Sequence, residues 1–377
     1  MKILFAGGGT GGHFYPIIAI AEELLHIADE EKLVDLELYY LAPTPYDVDS
    51  LFKHNIIYKR IPAGKLRNYF SLLNFFDFFR TGIGIIKAVI DIYFIFPDVI
   101  VGKGGYTSFP VLLAGRLFRI PIIIHESDSV AGKVNRWAGK FATRIAISYP
   151  EAAQYFPEDK VALTGNPIRK EIASPAPSGA HEYLGLEEGV QTLLILGGSQ
   201  GAQHINEVIV DSLPRLVSSY QIIHQTGLSH IDEVKQLASV TLKDTFAKGR
   251  YHPFEYLNTT AMRMAAGAAD LVISRAGSAI FEIAAWEKPS ILIPISEKVA
   301  HDQRENAFTY ARSGAAVVIE DNNLTKNILV PEIEKIMSDS VLQEKMKKSA
   351  REFARHDAAR TIAREIIQIA LSHEKTN

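Results

Sequence analysis

The sequence predicts an α/β protein made of two doubly wound, Rossmann-like domains facing a cleft. Short apolar runs that end in glycine-rich turns alternate with helical patterns along the chain, the mark of parallel strands joined by crossover helices. The opening pattern, Lys2 to Gly12, is echoed at Thr192-Leu193-Leu194-Ile195-Leu196-Gly197-Gly198-Ser199-Gln200-Gly201. A chain of 377 residues also exceeds the size at which one hydrophobic core keeps growing, so two domains are expected.

In chain order, strands are expected at Lys2 to Ala6, Leu36 to Leu41, Ile56 to Ile61, Asp98 to Val101, Ile122 to His125, Arg144 to Ile147 and Val161 to Leu163. Helical patterns such as Tyr15 to Ala28 and Ser108 to Phe118 lie between them. The stretch Asn166 to Tyr183, with Pro167, Pro175, Pro177 and Gly179, breaks this rhythm and reads as a linker. Beyond the echo, strands are expected at Gln221 to His224, Leu271 to Ser274, Ser290 to Ile293 and Ala316 to Ile319, and two helices close the chain. The expected domains are residues 1–168 and 169–355, with a helix over 356–377 packing back toward the first. Such sheets bind ligands beyond the carboxyl ends of their strands, so both sets of glycine turns are expected on one cleft.

With 47% hydrophobic and 22% charged residues the composition is that of a globular protein. A net charge of −3 without a basic stripe gives no sign of a nucleic-acid partner. The absence of cysteine excludes disulfide and thiolate chemistry and suits a reducing compartment. Met1 to Ala6 is too short an apolar run for a signal peptide, and Gly82 to Phe96, interrupted by Lys87 and Asp91, falls short of the roughly 20 residues that span a bilayer. A cytoplasmic protein without a spanning helix is expected.

Gly7-Gly8-Gly9-Thr10-Gly11-Gly12 fits G-x-G-x-x-G, in which backbone N–H groups approach phosphate oxygens near a helix N-terminus. The glycines alone are also compatible with a sharp turn and nothing more. A dinucleotide-binding dehydrogenase would close its second strand with an acidic residue, where this chain has Ala42 and Pro43. Gly102-Lys103-Gly104-Gly105-Tyr106 and Gly197-Gly198-Ser199-Gln200-Gly201 repeat the strand-to-helix placement. Three such turns suit two diphosphates better than the single pyrophosphate of a hydride-transfer enzyme.

An ordered series of motifs runs through both halves: Gly8-Gly9-Thr10-Gly11-Gly12-His13, Gly104-Gly105-Tyr106, His125-Glu126, Gly165-Asn166-Pro167-Ile168-Arg169, Gly197 to Ala202, Ser274-Arg275-Ala276-Gly277-Ser278, Glu282, Gln303 and Asn306-Ala307. In these the chain resembles the MurG family of bacterial glycosyltransferases over nearly its full length. The resemblance implies a glycosyltransferase-B fold, with UDP-N-acetylglucosamine held mainly by the C-terminal domain and the acceptor, lipid I, by the N-terminal one. It further implies inverting transfer of N-acetylglucosamine in a β(1→4) link, releasing UDP and lipid II. Thr10, Gly11, Gly12, Arg169, Ser199 and Gln303 match family donor-contacting positions, and Glu282 matches the carboxylate on the ribose hydroxyls. Gln200 and Ser278 join them as donor-loop candidates, and Gly9, Gly104, Gly105 and Tyr106 as candidates for the acceptor diphosphate. Where the family commonly reads His-Glu-Gln-Asn this chain has His125-Glu126-Ser127-Asp128, so a carboxylate replaces an amide at a candidate donor contact, and Arg275 to Glu282 is one residue shorter than the usual pattern.

Inverting transfer needs a base for the acceptor hydroxyl and stabilisation of the leaving diphosphate. His13, near the start of a helix read as opened by Pro16, is the leading base, since a helix N-terminus favours the neutral ring; capping or phosphate contact is its alternative role. Glu126 is the second candidate base, or the group that orients one. N–H groups after Gly277-Ser278, with Ser199 and Arg169, are candidates to stabilise UDP, so no cofactor or metal is obligatory. Asp47-Val48-Asp49, the D-x-D match, reads as a helix cap, and His125, His252 and His301 lack metal-site spacing.

Tyr69 to Phe96 carries Phe70, Phe75, Phe76, Phe78, Phe79, Tyr93, Phe94 and Phe96, with Lys65, Arg67, Arg80 and Lys87 in or near it. This mix fits either a membrane interface or a core helix with a basic outer face. The resemblance favours the membrane, placing the protein peripherally on the inner face of the cell membrane. A UDP-N-acetylglucosamine 2-epimerase and an inactive sugar-nucleotide-binding scaffold are the competing readings, and the sequence names no protein partner.

Overall fold

The computed structural model describes residues 1–33, 35–65, 72–197, 202–295 and 301–374, with the backbone alone at 72–74, 301–302 and 373–374. The chain divides into two compact units, Met1–Arg169 with Arg355–Asn377, and Lys170–Ala354.

The first unit runs β1 (Lys2–Ala6), α1 (Gly11–Glu30), β2 (Glu37–Ala42), α2 (Val48–Lys53), β3 (Ile56–Arg60), α3 (Leu72–Ile95), β4 (Val99–Gly102), α4 (Phe109–Leu117), β5 (Ile122–Glu126), α5 (Lys133–Gly139), β6 (Arg144–Ile147) and β7 (Val161–Leu163). Its strands form a parallel sheet in the order β3-β2-β1-β4-β5-β6-β7. Alternation along β1 sends Ile3 and Phe5 to one face, among Ile17, Ile20 and Leu24 of α1, and Leu4 and Ala6 to the other, among Ala88, Val111 and Leu112. The last helix of the chain covers the first of these faces, where Ile362 and Ile366 share the cluster with α1.

The second unit runs α6 (Lys170–Ala173), α7 (Ala180–Leu184), β8 (Thr192–Leu196), α8 (Gln203–Ser219), β9 (Gln221–Gln225), α9 (Ile231–Thr241), β10 (Tyr251–Phe254), α10 (Thr259–Ala268), β11 (Leu271–Ser274), α11 (Ala279–Ala285), β12 (Ser290–Leu292), α12 (His301–Arg312), β13 (Ala316–Val318), α13 (Lys326–Ser338) and α14 (Ser340–Phe353), before α15 (Ala358–Glu374) returns to the first unit. Its parallel sheet has the order β10-β9-β8-β11-β12-β13. Leu193 and Ile195 of β8 pack with Ile205, Ile209 and Leu213 of α8 and Leu329 and Ile333 of α13. Both sheets are doubly wound.

Three sequence expectations need correction. The stretch read as a linker carries α6 and α7, so it is partly helical and belongs mostly to the second unit. The α1 helix begins at Gly11, and Pro16 lies inside it. Strand β10 is absent from the expected strands; its Pro253 cannot donate to a ladder, and the strand lies at the sheet edge, where one side of its backbone needs no partner.

Candidate active site

In the first sheet the strand order reverses between β1 and β4, and the register pairs Ala6 with Gly102, so the two turns leave the sheet side by side. Gly7, Gly8 and Gly9 have φ of 151°, 118° and 90°, which L side chains rarely adopt. Space forbids a side chain as well: a Cβ on Gly8 would stand 2.2 Å from the Tyr40 hydroxyl, which donates to Gly7 O at 2.9 Å. The second turn is tied to the first by Lys103 N–H donating to Ala6 O (2.8 Å) and Thr107 Oγ1 donating to Gly8 O (3.3 Å).

These turns frame His13. Its Nδ1 is 3.0 Å from Thr10 Oγ1, and a Cβ on Gly105 would lie 3.9 Å from both Cε1 and Nε2 of the ring. Burial first, then the Lys103 charge, lower the imidazole to about 4 against the opposing pull of Asp128, so the ring is neutral near pH 7. Sequence reasoning reached the neutral ring through the helix dipole; the structure adds burial and Lys103 as causes. Gly11 faces the Tyr46 hydroxyl, 2.9 Å from where its Cβ would stand, while Gly12 continues the first turn of α1. Arg169 stacks on the Tyr15 ring with 3.9 Å from Cζ to the centroid, which brings its guanidinium beside the same helix.

The turn after β5 supplies the remaining charge. Glu126, the last residue of β5, is buried and its carboxylate is engaged by the segment that follows: Oε1 accepts from Asp128 N (3.1 Å), and Oε2 accepts from Gly132 N (2.8 Å) and Asn135 Nδ2 (3.0 Å). Burial, then the neighbouring Asp128, raise it to about 7. This set of bonds favours the orienting role over the base role for Glu126. Asn135 also donates to His125 O (3.1 Å) and occupies the space that a Cβ on Gly104 would need, 2.7 Å away. His125 is buried, with Nε2 donating to Gly165 O (3.1 Å), which makes it structural. Tyr106 is partly exposed beside Gly105.

Sequence reasoning assigned no role to Tyr40, Lys103 or Asn135. Lys103 carried one signal, a lysine set among glycines; the other two gave none, because their contacts come from elements distant in sequence.

In the second unit, Ser274 pairs with Leu196, so the turns after β8 and β11 emerge together, as in the first unit. Ser199 and Gln200 lie outside the described residues. Ser278 precedes α11, and Glu282 is half-buried in the first turn of that helix. Gln303 accepts from Ile295 N at 3.2 Å, and its Nε2 lies 3.6 Å from where a Cβ on Gly277 would stand, so Gly277, Ser278 and Gln303 form one neighbourhood. Arg275 is directed to structure, donating from Nη1 to Ile293 O (3.2 Å) and Asp321 Oδ1 (2.6 Å).

On α3 the exposed face is aromatic, with Phe75, Phe76, Phe78 and Phe79 between 56% and 75% exposed, and Tyr93, Phe94 and, just past the helix end, Phe96 also open to solvent. Ala88, Ile92 and Ile95 form the buried face, so these aromatics are outside the core. Arg67, Tyr69 and Phe70 lie outside the described residues. No helix among the described residues is long and apolar enough to cross a membrane.

Residues 3–147 match the glycosyltransferase family 28 N-terminal domain and residues 192–362 the family 28 C-terminal domain. A Bacillus thuringiensis subsp. konkukian (strain 97-27) protein named UDP-N-acetylglucosamine–N-acetylmuramyl-(pentapeptide) pyrophosphoryl-undecaprenol N-acetylglucosamine transferase 2 is 36% identical over 97% of this chain and 99% of its own length. A transferase of the same type from Clostridium botulinum (strain Hall) is 36% identical over 88% of this chain and 90% of its own. Among solved structures, Acinetobacter baumannii MurG superposes with a TM-score of 0.73 at 23% identity, covering 97% of this chain and 99% of that one. A Neisseria meningitidis UDP-GlcNAc 2-epimerase bound to UDP-GlcNAc gives a TM-score of 0.68 at 15% identity, covering 98% and 100%. At these identities the two likenesses establish a shared fold, that of glycosyltransferase-B enzymes.

Proposed function

The chain belongs to glycosyltransferase family 28, and from that membership we propose that it transfers N-acetylglucosamine from UDP-N-acetylglucosamine to lipid I, forming a β(1→4) link and releasing UDP and lipid II. The observation that carries the reading is His13, a neutral imidazole beside two glycine turns in a chain similar to named transferases over nearly its whole length. In this role His13 Nδ1–H donates to Thr10 Oγ1, which leaves the Nε2 lone pair to take the proton of the acceptor hydroxyl as its oxygen attacks the anomeric carbon. The bond from that carbon to the UDP oxygen breaks with inversion, and UDP leaves with the electron pair.

The first unit is the acceptor side. Gly9, Gly104, Gly105 and Tyr106 offer backbone N–H groups to the lipid diphosphate, near the N-terminus of the 20-residue α1. The second unit is the donor side, with Ser278 and Glu282 following β11 and Gln303 on α12 beside Gly277, and with Ser199 and Gln200, which follow β8 in the sequence, as further donor contacts. Thr10, Gly11, Gly12, Asp128 and Arg169 are the further residues to which we assign a donor-contacting role. Glu126 orients the turn that carries Asp128. We assign no obligatory metal or cofactor: Asp47 of the D-x-D match caps α2, accepting from Ser50 N (3.0 Å) and Ser50 Oγ (2.7 Å). The exposed aromatics of α3, with Arg80 and Lys87 exposed on the same helix, suit a peripheral position on the inner face of the cell membrane, where a lipid-linked acceptor resides.

Incubation with UDP-N-acetylglucosamine tests the reading. UDP release that requires lipid I, with a gain of one N-acetylhexosamine in lipid mass, is the expected result. A UDP-sugar epimer or free N-acetylmannosamine formed without lipid I would replace this reading with the epimerase one. Binding without turnover would leave a scaffold. A permanent loss of turnover in chelator, restored only by a divalent ion, would overturn the metal-free assignment.

A further inference from the structure

Lys103 is 2% exposed, and among the described residues its Nζ has no hydrogen-bond partner. A buried ammonium in that condition is costly, and such groups cluster where their charge is used. The backbone fixes its position: Lys103 N–H donates to Ala6 O, and a Cβ on Gly7 would come within 2.9 Å of Lys103 Cβ. The lysine is therefore packed against the first glycine turn and begins the second, two residues before the Gly105 that abuts the His13 ring. Its presence in a turn otherwise built of glycine has no explanation in the backbone geometry, since Gly104 and Gly105 alone supply the left-handed conformations, at φ of 84° and 73°.

We propose that Lys103 is a positioning residue for His13: packed unpartnered against the glycine turn beside the ring, its buried charge adds to desolvation in keeping the ring in the proton-accepting form against the pull of Asp128. This rests on the reading of His13 as the base. The groups that act on the ring are Thr10 at the N-cap of its own helix, Lys103 from the turn after β4, Asp128 from the turn after β5 and the buried His125 within β5, while Glu126, the last residue of β5, acts on Lys103. Asp128 favours the imidazolium, which cannot accept a proton; burial opposes it first, and the Lys103 charge adds to burial. Burial lowers Lys103 itself only to about 8, so it keeps its charge throughout the acid range in which the ring would otherwise protonate.

The test follows the His13 ring directly, by NMR titration of labelled imidazole with the signal assigned through its loss in His13→Asn. Lys103→Met keeps the unbranched stem and removes the charge. The ring should then titrate about one unit or more higher than in the wild type. The acid limb of the kcat profile should move with it, giving roughly ten-fold lower relative turnover near the limb, while KM for UDP-N-acetylglucosamine changes little. Lys103→Arg should retain the wild-type limb even if packing lowers kcat at every pH. Asp128→Asn, which leaves Lys103 in place, should move the ring the other way, and the double variant should restore much of the original titration. A ring that titrates identically in the wild type and in folded Lys103→Met overturns the inference, and so does one unmoved by Asp128→Asn. If the ring moves while the kcat limb stays, the coupling to Lys103 stands and the base assignment of His13 fails.

Discussion

Thr10 Oγ1 and His13 Nδ1 meet at 3.0 Å across the first turn of α1, so the residue at the helix N-cap spends its hydroxyl on an imidazole and not on a backbone N–H. An N-cap threonine ordinarily accepts from the second or third helical N–H, and that bond is absent here. Stability is given up in favour of fixing one ring. Thr10→Val should therefore lower kcat about five-fold, as loss of about 1 kcal/mol of hydrogen bonding to the required tautomer implies, and Thr10→Ser should restore most of it. Steady-state kinetics at saturating substrates decide the matter: unchanged turnover in Thr10→Val would show that the Nδ1 partner is immaterial.

Gly104→Ala should cost stability and activity together. The φ of 84° is one an alanine tolerates at about 1–2 kcal/mol, and its Cβ would also displace Asn135, whose Nδ2 holds both His125 O and Glu126 Oε2. A total near 2–3 kcal/mol is expected, read as a lowered unfolding midpoint in urea. Asn135→Ala in the same background should restore part of the midpoint if the clash dominates, and none of it if backbone strain does.

The legible part of this molecule was the part that local pattern dictates. Lys2 to Ala6 and Thr192 to Leu196 stand where their apolar runs and following glycines put them, because a strand buried on both faces must be apolar throughout. Pro16 misled for a reason of the same kind. Proline favours the first turn of a helix, yet α1 starts five residues earlier at Gly11 and gives up one backbone bond inside the helix. The chemistry of the site was only half readable. The first turn and His13 are contiguous in sequence, whereas the second turn beside the ring, the burial of Lys103, the bonds that engage Glu126 and the Tyr40 hydroxyl under Gly7 depend on the sheet order that brings β2 and β4 beside β1 and β5 beside β4.

The pair His54 and Glu22 gives a pH-dependent contribution to stability away from the site. His54 Nε2 donates to Glu22 Oε1 at 3.1 Å and Nδ1 to Ser50 O at 2.7 Å, and the bond to Glu22, opposed by burial, raises the imidazole above its ordinary value. A group that holds its proton more tightly when folded stabilises fully below the unfolded value, about 6.5, and loses that contribution as pH rises through the raised one. Thermal melts of the wild type and Glu22→Gln should differ most near pH 6 and converge on the alkaline side. A gap that widens with pH would reverse the assigned sign.

The exposed face of α3 makes the last prediction. Phe75 and Phe79 stack edge to face at 4.9 Å, with Phe76 and Phe78 alongside, and all four rings are open to water although a core face formed by Ala88, Ile92 and Ile95 lies on the same helix. Leaving such rings exposed is unfavourable unless another apolar phase receives them, at about 1 kcal/mol or more per ring inserted. The wild type should float with vesicles rich in anionic lipid, held by the rings and by the charges of Arg80 and Lys87, and high salt should weaken the binding without abolishing it. Phe75→Ser, Phe76→Ser and Phe79→Ser combined should weaken flotation on the order of 100-fold, with turnover on a water-soluble acceptor analogue retained. Flotation unchanged in the triple variant would place the membrane contact elsewhere, and a wild type that fails to float would remove it from this helix altogether.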